Sequence, residues 1–225
     1  MKLVHALALS IVPALASAQS SPSLRPGHVT ISAGVAVSGP YGVGDATAEL
    51  RSNRPGPAPP PFTLFRADSR VTRATSPEFR VGLALSRRLA IEAGASLSRP
   101  RITVAIADDL EAPAQQLAGE RLQQYLFDAA LTWQLPIRVG GRLAPFVAAG
   151  GGYLRQLHED RMLAETGELY FAGAGARYWL RGRSGSSMAL GFRGDVRANV
   201  RRNGIDFANK ERVFPSLSVS VFLGL

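Results

Sequence analysis

Eight segments of this chain alternate apolar residues with small or polar ones at a period of two, which is typical of strands that have one buried face. In the segment at 187–200, one face is apolar and the other carries Arg193, Asp195 and Arg197. The alternation predicts an all-β chain. The eight segments are residues 28–38, 76–86, 88–98, 124–134, 143–154, 168–180, 187–200 and 213–225.

The links between these segments alternate between long and short. The long links are residues 39–75, 99–123, 155–167 and 201–212, and the short ones are Arg87 alone, 135–142 and at most 181–187. This alternation is typical of an up-and-down barrel with long loops on one side and tight turns on the other. The segments are also close to the ~9–11 residues that a tilted strand needs to cross a bilayer. We therefore predict an eight-stranded antiparallel up-and-down transmembrane β-barrel with four long surface loops.

One stretch inside the second long link also looks like a strand. It is RITVAIA at 101–107, and Pro100 breaks the alternation just before it. Because a further membrane strand would spoil the even strand count, we interpret this stretch as a hairpin extension beyond the membrane.

The first residues, MKLVHALALSIVPALASAQS, have the features of a secretory signal peptide. Lys2 precedes a short apolar run, and Ala16-Ser17-Ala18 forms a small-residue cleavage site. We predict a signal peptide at 1–18, a short periplasmic segment at 19–26 and a barrel domain at 27–225. The chain has no cysteine, and its formal charge of +9 falls to +8 without the signal peptide. A basic exported chain without an aromatic-rich basic motif does not indicate nucleic-acid binding.

Periodicity alone does not decide which face of the barrel meets water. Glycines fall on the polar face, as a narrow interior requires: they are Gly82, Gly94, Gly173, Gly175 and Gly191. Aromatic residues fall near the predicted strand ends, where they would form two belts at the lipid–water interfaces. Ordinary core aromatics are the alternative. The predicted belts contain Phe79, Tyr125, Tyr153 and Tyr170 at the long-loop end and Trp133 and Tyr178 at the turn end.

If the apolar face points outward, seven charged residues point into the lumen. Isolated charges there would be costly, so we expect them to pair with one another and to close the lumen. An eight-stranded barrel has room for side chains and a few waters, and no room for an aqueous channel. The predicted lumen residues are Arg80, Glu92, Asp128, Arg177, Arg193, Asp195 and Arg197.

The chain resembles the small eight-stranded outer-membrane barrels of bacteria, of the OmpA or opacity type. The resemblance covers residues 27–225 and is carried by the signal peptide, by the eight alternating strands, by PFVAAGGGY at 145–153 and by SLSVSVFLGL at 216–225. It implies a bacterial outer-membrane location, a monomer, and assembly by the barrel assembly machinery. In that family the last strand usually ends in Phe, whereas this chain ends in Leu225.

No residue set in the sequence meets the geometric requirements of catalysis, and we predict no catalytic, cofactor or metal site. His158, Glu159 and Asp160 are interpreted as a solvated loop. The long loops carry several arginines that would meet lipopolysaccharide phosphates, and a generic solvated surface is the alternative. The predicted function is therefore a non-enzymatic barrel with a structural or surface-interaction role. A narrow pore is the main alternative, followed by a lipid-modifying outer-membrane enzyme and a secreted soluble barrel.

Overall fold

The computed structural model describes residues 25–51, 60–109, 111–137, 139–159, 163–182, 188–207 and 210–225. The predicted signal peptide, the segment at 19–24 and most of the proline-rich stretch at 54–61 lie outside these ranges. Among the described residues, no helix is long and apolar enough to cross a bilayer.

Eight strands close into an antiparallel barrel, which confirms the predicted fold class and the resemblance at the level of strand number and connection. Their order around the barrel is β1-β12-β11-β10-β9-β8-β5-β4. They are β1 (Val29–Ser38), β4 (Ala74–Ala84), β5 (Leu89–Ser98), β8 (Gln123–Gln134), β9 (Leu143–Leu157), β10 (Ala164–Gly182), β11 (Ala189–Asn203) and β12 (Arg212–Gly224). The remaining four strands, β2, β3, β6 and β7, lie outside the barrel.

The first and last barrel strands pair directly, for example Val35 with Val219, so the sheet has no free edge there. We call the end where β1 and β9 finish the loop side, and the end where β4 and β12 finish the turn side. Strands β9, β10 and β11 extend beyond the predicted segments on the loop side, and β10 has 19 residues.

The apolar faces of the barrel strands point outward. In the middle of β11, Val196 is 56% exposed, while its neighbours Asp195 and Arg197 are buried. Large apolar side chains on the other strands are exposed in the same way, including Leu131, Leu217 and Val219. A soluble barrel has the opposite arrangement. Because so large an apolar surface is unstable in water, the outward band is a surface for lipid.

The first two long links are not irregular loops, which corrects the prediction of four long surface loops. They form a four-stranded sheet outside the barrel, in the order β2-β3-β6-β7. Residues 101–107 are β6 and pair with β3 and β7 beyond the barrel strands, as interpreted from the sequence. The strands are β2 (Tyr41–Leu50), β3 (Phe62–Val71), β6 (Arg101–Ala107) and β7 (Gln115–Arg121).

Two apolar clusters lie at the two ends of the lumen. The loop-side cap joins the base of the outer sheet to the rims of β10 and β12, and it consists of Tyr41, Val43, Val71, Ile102, Leu122, Leu169, Ile205 and Phe214. The turn-side cluster consists of Trp179, Ala189 and Phe222, with the two rings 4.6 Å apart in an edge-to-face contact. The polar interior therefore lies between two apolar seals.

Candidate functional site: the charged lumen

All seven charged residues assigned to the lumen are buried inside the barrel. The structure adds Glu78, whose side chain is 9% exposed and accepts a hydrogen bond from Nε of Arg80. Glu78 has the same parity along β4 as Arg80, so continuing the alternation by one step would have found it. With Glu78 included, the lumen holds four arginines and four carboxylates.

These eight side chains form one chain of ion pairs, which we call the lumen chain. At its turn-side end, Glu92 bridges two arginines: its Oε1 is 2.5 Å from Nη2 of Arg177, and its Oε2 is 2.6 Å from Nη1 of Arg193. Asp195 makes the next bridge, with its oxygens 3.0 Å from Nε of Arg193 and 2.9 Å from Nε of Arg197.

The lumen chain continues across the barrel to β4 and β8. Nη2 of Arg197 lies 3.8 Å from Oε1 of Glu78, which also binds Arg80. Arg80 then makes a bidentate pair with Asp128, with both N–O distances at 2.9 Å. Positive and negative groups therefore alternate without interruption from Arg177 to Asp128.

Alternation of sign offsets the cost of burying these groups. A buried charge without a partner is strongly destabilising. When the charge is bonded to groups of opposite sign, those bonds offset much of the hydration free energy that it loses on burial. The arginines gain further contact with aromatic faces. Cζ of Arg193 lies 4.7 Å from the centroid of Phe146, and Cζ of Arg197 lies 4.7 Å from that of Phe171.

Inward-facing glycines leave the room that these side chains occupy. A Cβ on Gly94 would come 2.9 Å from Oδ2 of Asp128 and 3.0 Å from Cζ of Arg80. A Cβ on Gly175 would come 2.6 Å from both Cβ of Asp195 and the ring of Phe146. The glycines on the polar face thus have the packing role that the sequence predicts.

A small cavity remains between the lumen chain and the loop-side cap. Its volume is about 60 Å³, and its walls combine serines such as Ser76 and Ser218 with Arg80, Asp195 and the cap residue Phe214. One water needs ~10–15 Å³ of such space, so the cavity holds only a few waters.

A second buried polar group lies at the loop side, and the sequence prediction missed it. Arg201 is 1% exposed; it donates to the Ile205 carbonyl at 2.7 Å and to the Tyr41 hydroxyl at 3.2 Å. Burial raises the pKa of Tyr41. Arg201 was assigned to a loop, although it continues the inward parity of Arg193 and Arg197 along β11.

The six predicted belt aromatics all lie on the outward face of the barrel. Tyr125 is half-buried and the other five are exposed. Phe127 and Phe192 are also exposed on this face, next to the predicted aromatics, and were not predicted from the sequence. The loop-side group contains Phe79, Tyr125, Tyr153 and Tyr170, and the turn-side group contains Trp133 and Tyr178.

His158 does not lie in a fully solvated loop, which corrects that interpretation. Its Nδ1 is 2.7 Å from Oε2 of Glu120 on β7, and its Nε2 is 3.8 Å from Oε1 of Glu165 on β10. The backbone N–H of Glu159 also bonds Glu120, and Asp160 lies outside the described residues. Within the described ranges, no three acidic, histidine or cysteine side chains converge to hold a metal ion.

Comparisons with known proteins find similar solved structures only at low sequence identity. No family model matches the chain, and no curated protein matches it. Three solved structures are similar to it over most of its length. The outer membrane protein OprG from Pseudomonas aeruginosa is 11% identical with a TM-score of 0.49, and the match covers 90% of this chain and 96% of that one.

Two further similar structures are an attachment invasion locus protein and an outer membrane protease. Ail, the attachment invasion locus protein of Yersinia pestis, in complex with the heparin analogue sucrose octasulfate, is 10% identical with a TM-score of 0.42, covering 88% of this chain and 99% of that one. The outer membrane protease OmpT from Escherichia coli is 8% identical with a TM-score of 0.35, covering 86% and 96%. The barrel assignment rests on the strand order and outward apolar band described above.

Proposed function

We infer that this chain, an eight-stranded transmembrane β-barrel, is a closed and non-enzymatic protein of the bacterial outer membrane with a structural or surface-interaction role. The observation that carries this inference is the lumen chain, in which every charged group is bonded to another member. Groups engaged in this way hold the barrel together across its interior, from β10 and β11 to β4 and β8. They form a cross-brace rather than a site open to a substrate.

The two apolar seals support the closed state. A conducting path would have to pass the loop-side cap, the lumen chain and the Trp179–Phe222 contact in series. The small polar cavity lies between the first two. A narrow eight-stranded barrel filled in this way has no continuous water column.

The outer sheet supports the surface-interaction role. It displays apolar residues that the barrel does not cover, including Phe62, Phe65 and Leu117, and it has two free edges, β2 and β7. Exposed apolar patches and free strand edges are features that bind other molecules. We expect the barrel itself to be monomeric, to contact membrane lipids and lipopolysaccharide, and to be inserted by the barrel assembly machinery. We propose no cofactor and no nucleic-acid partner.

The test compares two equally exposed apolar residues. Val196 is 56% exposed in the middle of β11, and Leu50 is 60% exposed at the end of β2. In a membrane barrel, Val196→Arg places a cation in lipid at a cost of roughly 2–4 kcal/mol near the midplane, whereas Leu50→Arg meets water.

Each variant is expressed with the full chain, and the folded, heat-modifiable form is measured in the outer-membrane fraction. We expect Val196→Arg to reduce this form strongly and Leu50→Arg to leave it unchanged. Equal tolerance of both changes, or recovery of the wild-type protein in the soluble fraction, would contradict the proposed function.

A further inference from the structure

The charged residues are distributed unevenly between the two ends of the barrel. The sequence segments at the turn side, 25–28, 85–89, 134–143, 181–188 and 224–225, contain seven arginines and no Asp or Glu. The four loop-side links, 39–75, 99–123, 155–167 and 201–212, contain fourteen basic and twelve acidic residues. Since the lumen chain is balanced, nearly all of the net positive charge belongs to the turn side.

Four of the turn-side arginines are described by the structure, and all four are exposed: they are Arg25, Arg87, Arg88 and Arg142. Among the described residues of the turn side there is no Asp or Glu to pair with them. The loop side differs, because several of its exposed arginines have local acidic partners. Arg70 lies 2.6 Å from Asp68, and Arg202 lies 2.6 Å from Glu211.

The turn-side arginines adjoin the outward apolar band. Leu85 is exposed two residues before Arg87, and Ile137 and Val139 are exposed shortly before Arg142. Trp133 marks the same end of β8. Long basic side chains at the edge of a lipid-facing surface extend along it and place their charged ends at headgroup level.

We propose that the turn side binds the phosphate groups of anionic glycerophospholipids in the membrane leaflet next to it. This inference rests on the proposed membrane function. Guanidinium groups bind phosphate oxygens in pairs, and all basic residues of these segments are arginines. An anionic leaflet attracts each such group when it is close to the surface. The continuity with the apolar band favours a lipid over a soluble polyanion, which would need no apolar surface beside it.

The experiment measures lipid selectivity of the full protein folded in phosphatidylcholine vesicles. Spin-labelled phosphatidylglycerol and spin-labelled phosphatidylcholine are compared by the fraction immobilised at the protein surface. We expect the wild type to prefer phosphatidylglycerol about fivefold at low salt, the order of one arginine beside an anionic lipid. The preference should fall steeply in 1 M NaCl, where the screening length is about 3 Å.

Two variants locate the preference. R25Q/R87Q/R88Q/R142Q removes the four turn-side arginines that the structure describes, out of seven in these segments, and should clearly lower the preference. R99Q/R101Q/R121Q/R155Q removes four exposed loop-side arginines and should keep it. Heat-modifiable mobility of each variant shows whether it is folded, and the salt dependence of the wild type stands even where a variant does not fold.

Three results would overturn the inference: a wild type without selectivity, a turn-side variant that keeps it, or a loop-side variant that loses it equally. Binding of inorganic polyphosphate to the turn-side arginines without any lipid preference would assign them to a soluble polyanion instead. A wild-type chain that does not enter vesicles would contradict the proposed membrane function itself. If the chain inserts but does not prefer phosphatidylglycerol over phosphatidylcholine, the lipid-binding inference is wrong and the proposed membrane function still holds.

Discussion

Asp195 lies in the middle of the lumen chain and bonds Arg193 and Arg197 at the same time. We predict that Asp195→Ala lowers the free energy of unfolding by about 3–5 kcal/mol, the usual cost of leaving buried charges without their partner. The double variant R193A/D195A should lose less than the sum of the two single losses, since the pair interacts. Urea unfolding in detergent micelles measures both.

An exposed pair provides the control for Asp195. Asp68 lies 2.6 Å from Arg70 on the outer sheet, where water screens the interaction. Asp68→Ala should cost no more than about 1 kcal/mol. Additive losses at Asp195 and Arg193, or a similar cost at Asp68, would show that the lumen chain does not act as a unit.

Gly175 tests the close fit of the lumen. Because a Cβ there would come 2.4 Å from the Gly194 carbonyl oxygen and 2.6 Å from both Asp195 and Phe146, Gly175→Ala must displace all three groups. We predict a loss of about 1–3 kcal/mol in the free energy of unfolding, typical of an overfilled interior. Gly194→Ala is the matched control, since its Cβ would point outward with its nearest neighbour at 3.8 Å. If the two variants are equally stable, the lumen has room for an added methyl group at position 175.

The outer sheet and the barrel contribute differently to the stability of the protein. The loop-side cap uses only the base of the sheet, namely Tyr41, Val43, Val71 and Ile102. Replacing residues 45–68 by an Asn-Gly turn removes the tip of the β2–β3 hairpin and leaves these residues in place, because Gly44 pairs with Ser69.

We predict that this shortened chain forms the barrel with nearly unchanged stability, measured by heat-modifiable mobility and urea unfolding. The control is Val43→Asp, which places a charge at a position that is fully buried in the cap and should destabilise the protein by several kcal/mol. A shortened chain that does not fold would mean that the barrel requires the upper sheet.

The barrel strands could be predicted from sequence because each buries one kind of face in lipid and the other in the lumen, which keeps the alternation strict. The outer strands β2 and β3 could not, because much of both faces is exposed and small polar residues interrupt the pattern. In β3, Ala67, Ser69 and Val71 alternate with Asp68 and Arg70, but only Val71 is fully buried.

The lumen residues were also predictable, since all eight lie at inward positions within the predicted segments, although Glu78 was not among the predicted residues. What sequence could not provide was their order of contact. Glu92 is 101 residues from Arg193 along the chain, yet the two are bonded because the barrel closes. His158 and Glu120 are brought together in the same way by the meeting of β7 with the rims of β9 and β10. Neighbours of this kind depend on strand order and register, which periodicity does not contain.

In the molecule as a whole, the barrel is closed at three levels: the loop-side cap, the lumen chain and the turn-side aromatic contact. Strand β10 contributes a side chain to each level, namely Leu169, Arg177 and Trp179, and the other strands differ from level to level. The measurement that tests this most directly is single-channel recording of the purified wild-type protein in planar bilayers, with a large porin as positive control. We expect the protein to insert without stable conductance. Reproducible long-lived channels would contradict a closed barrel.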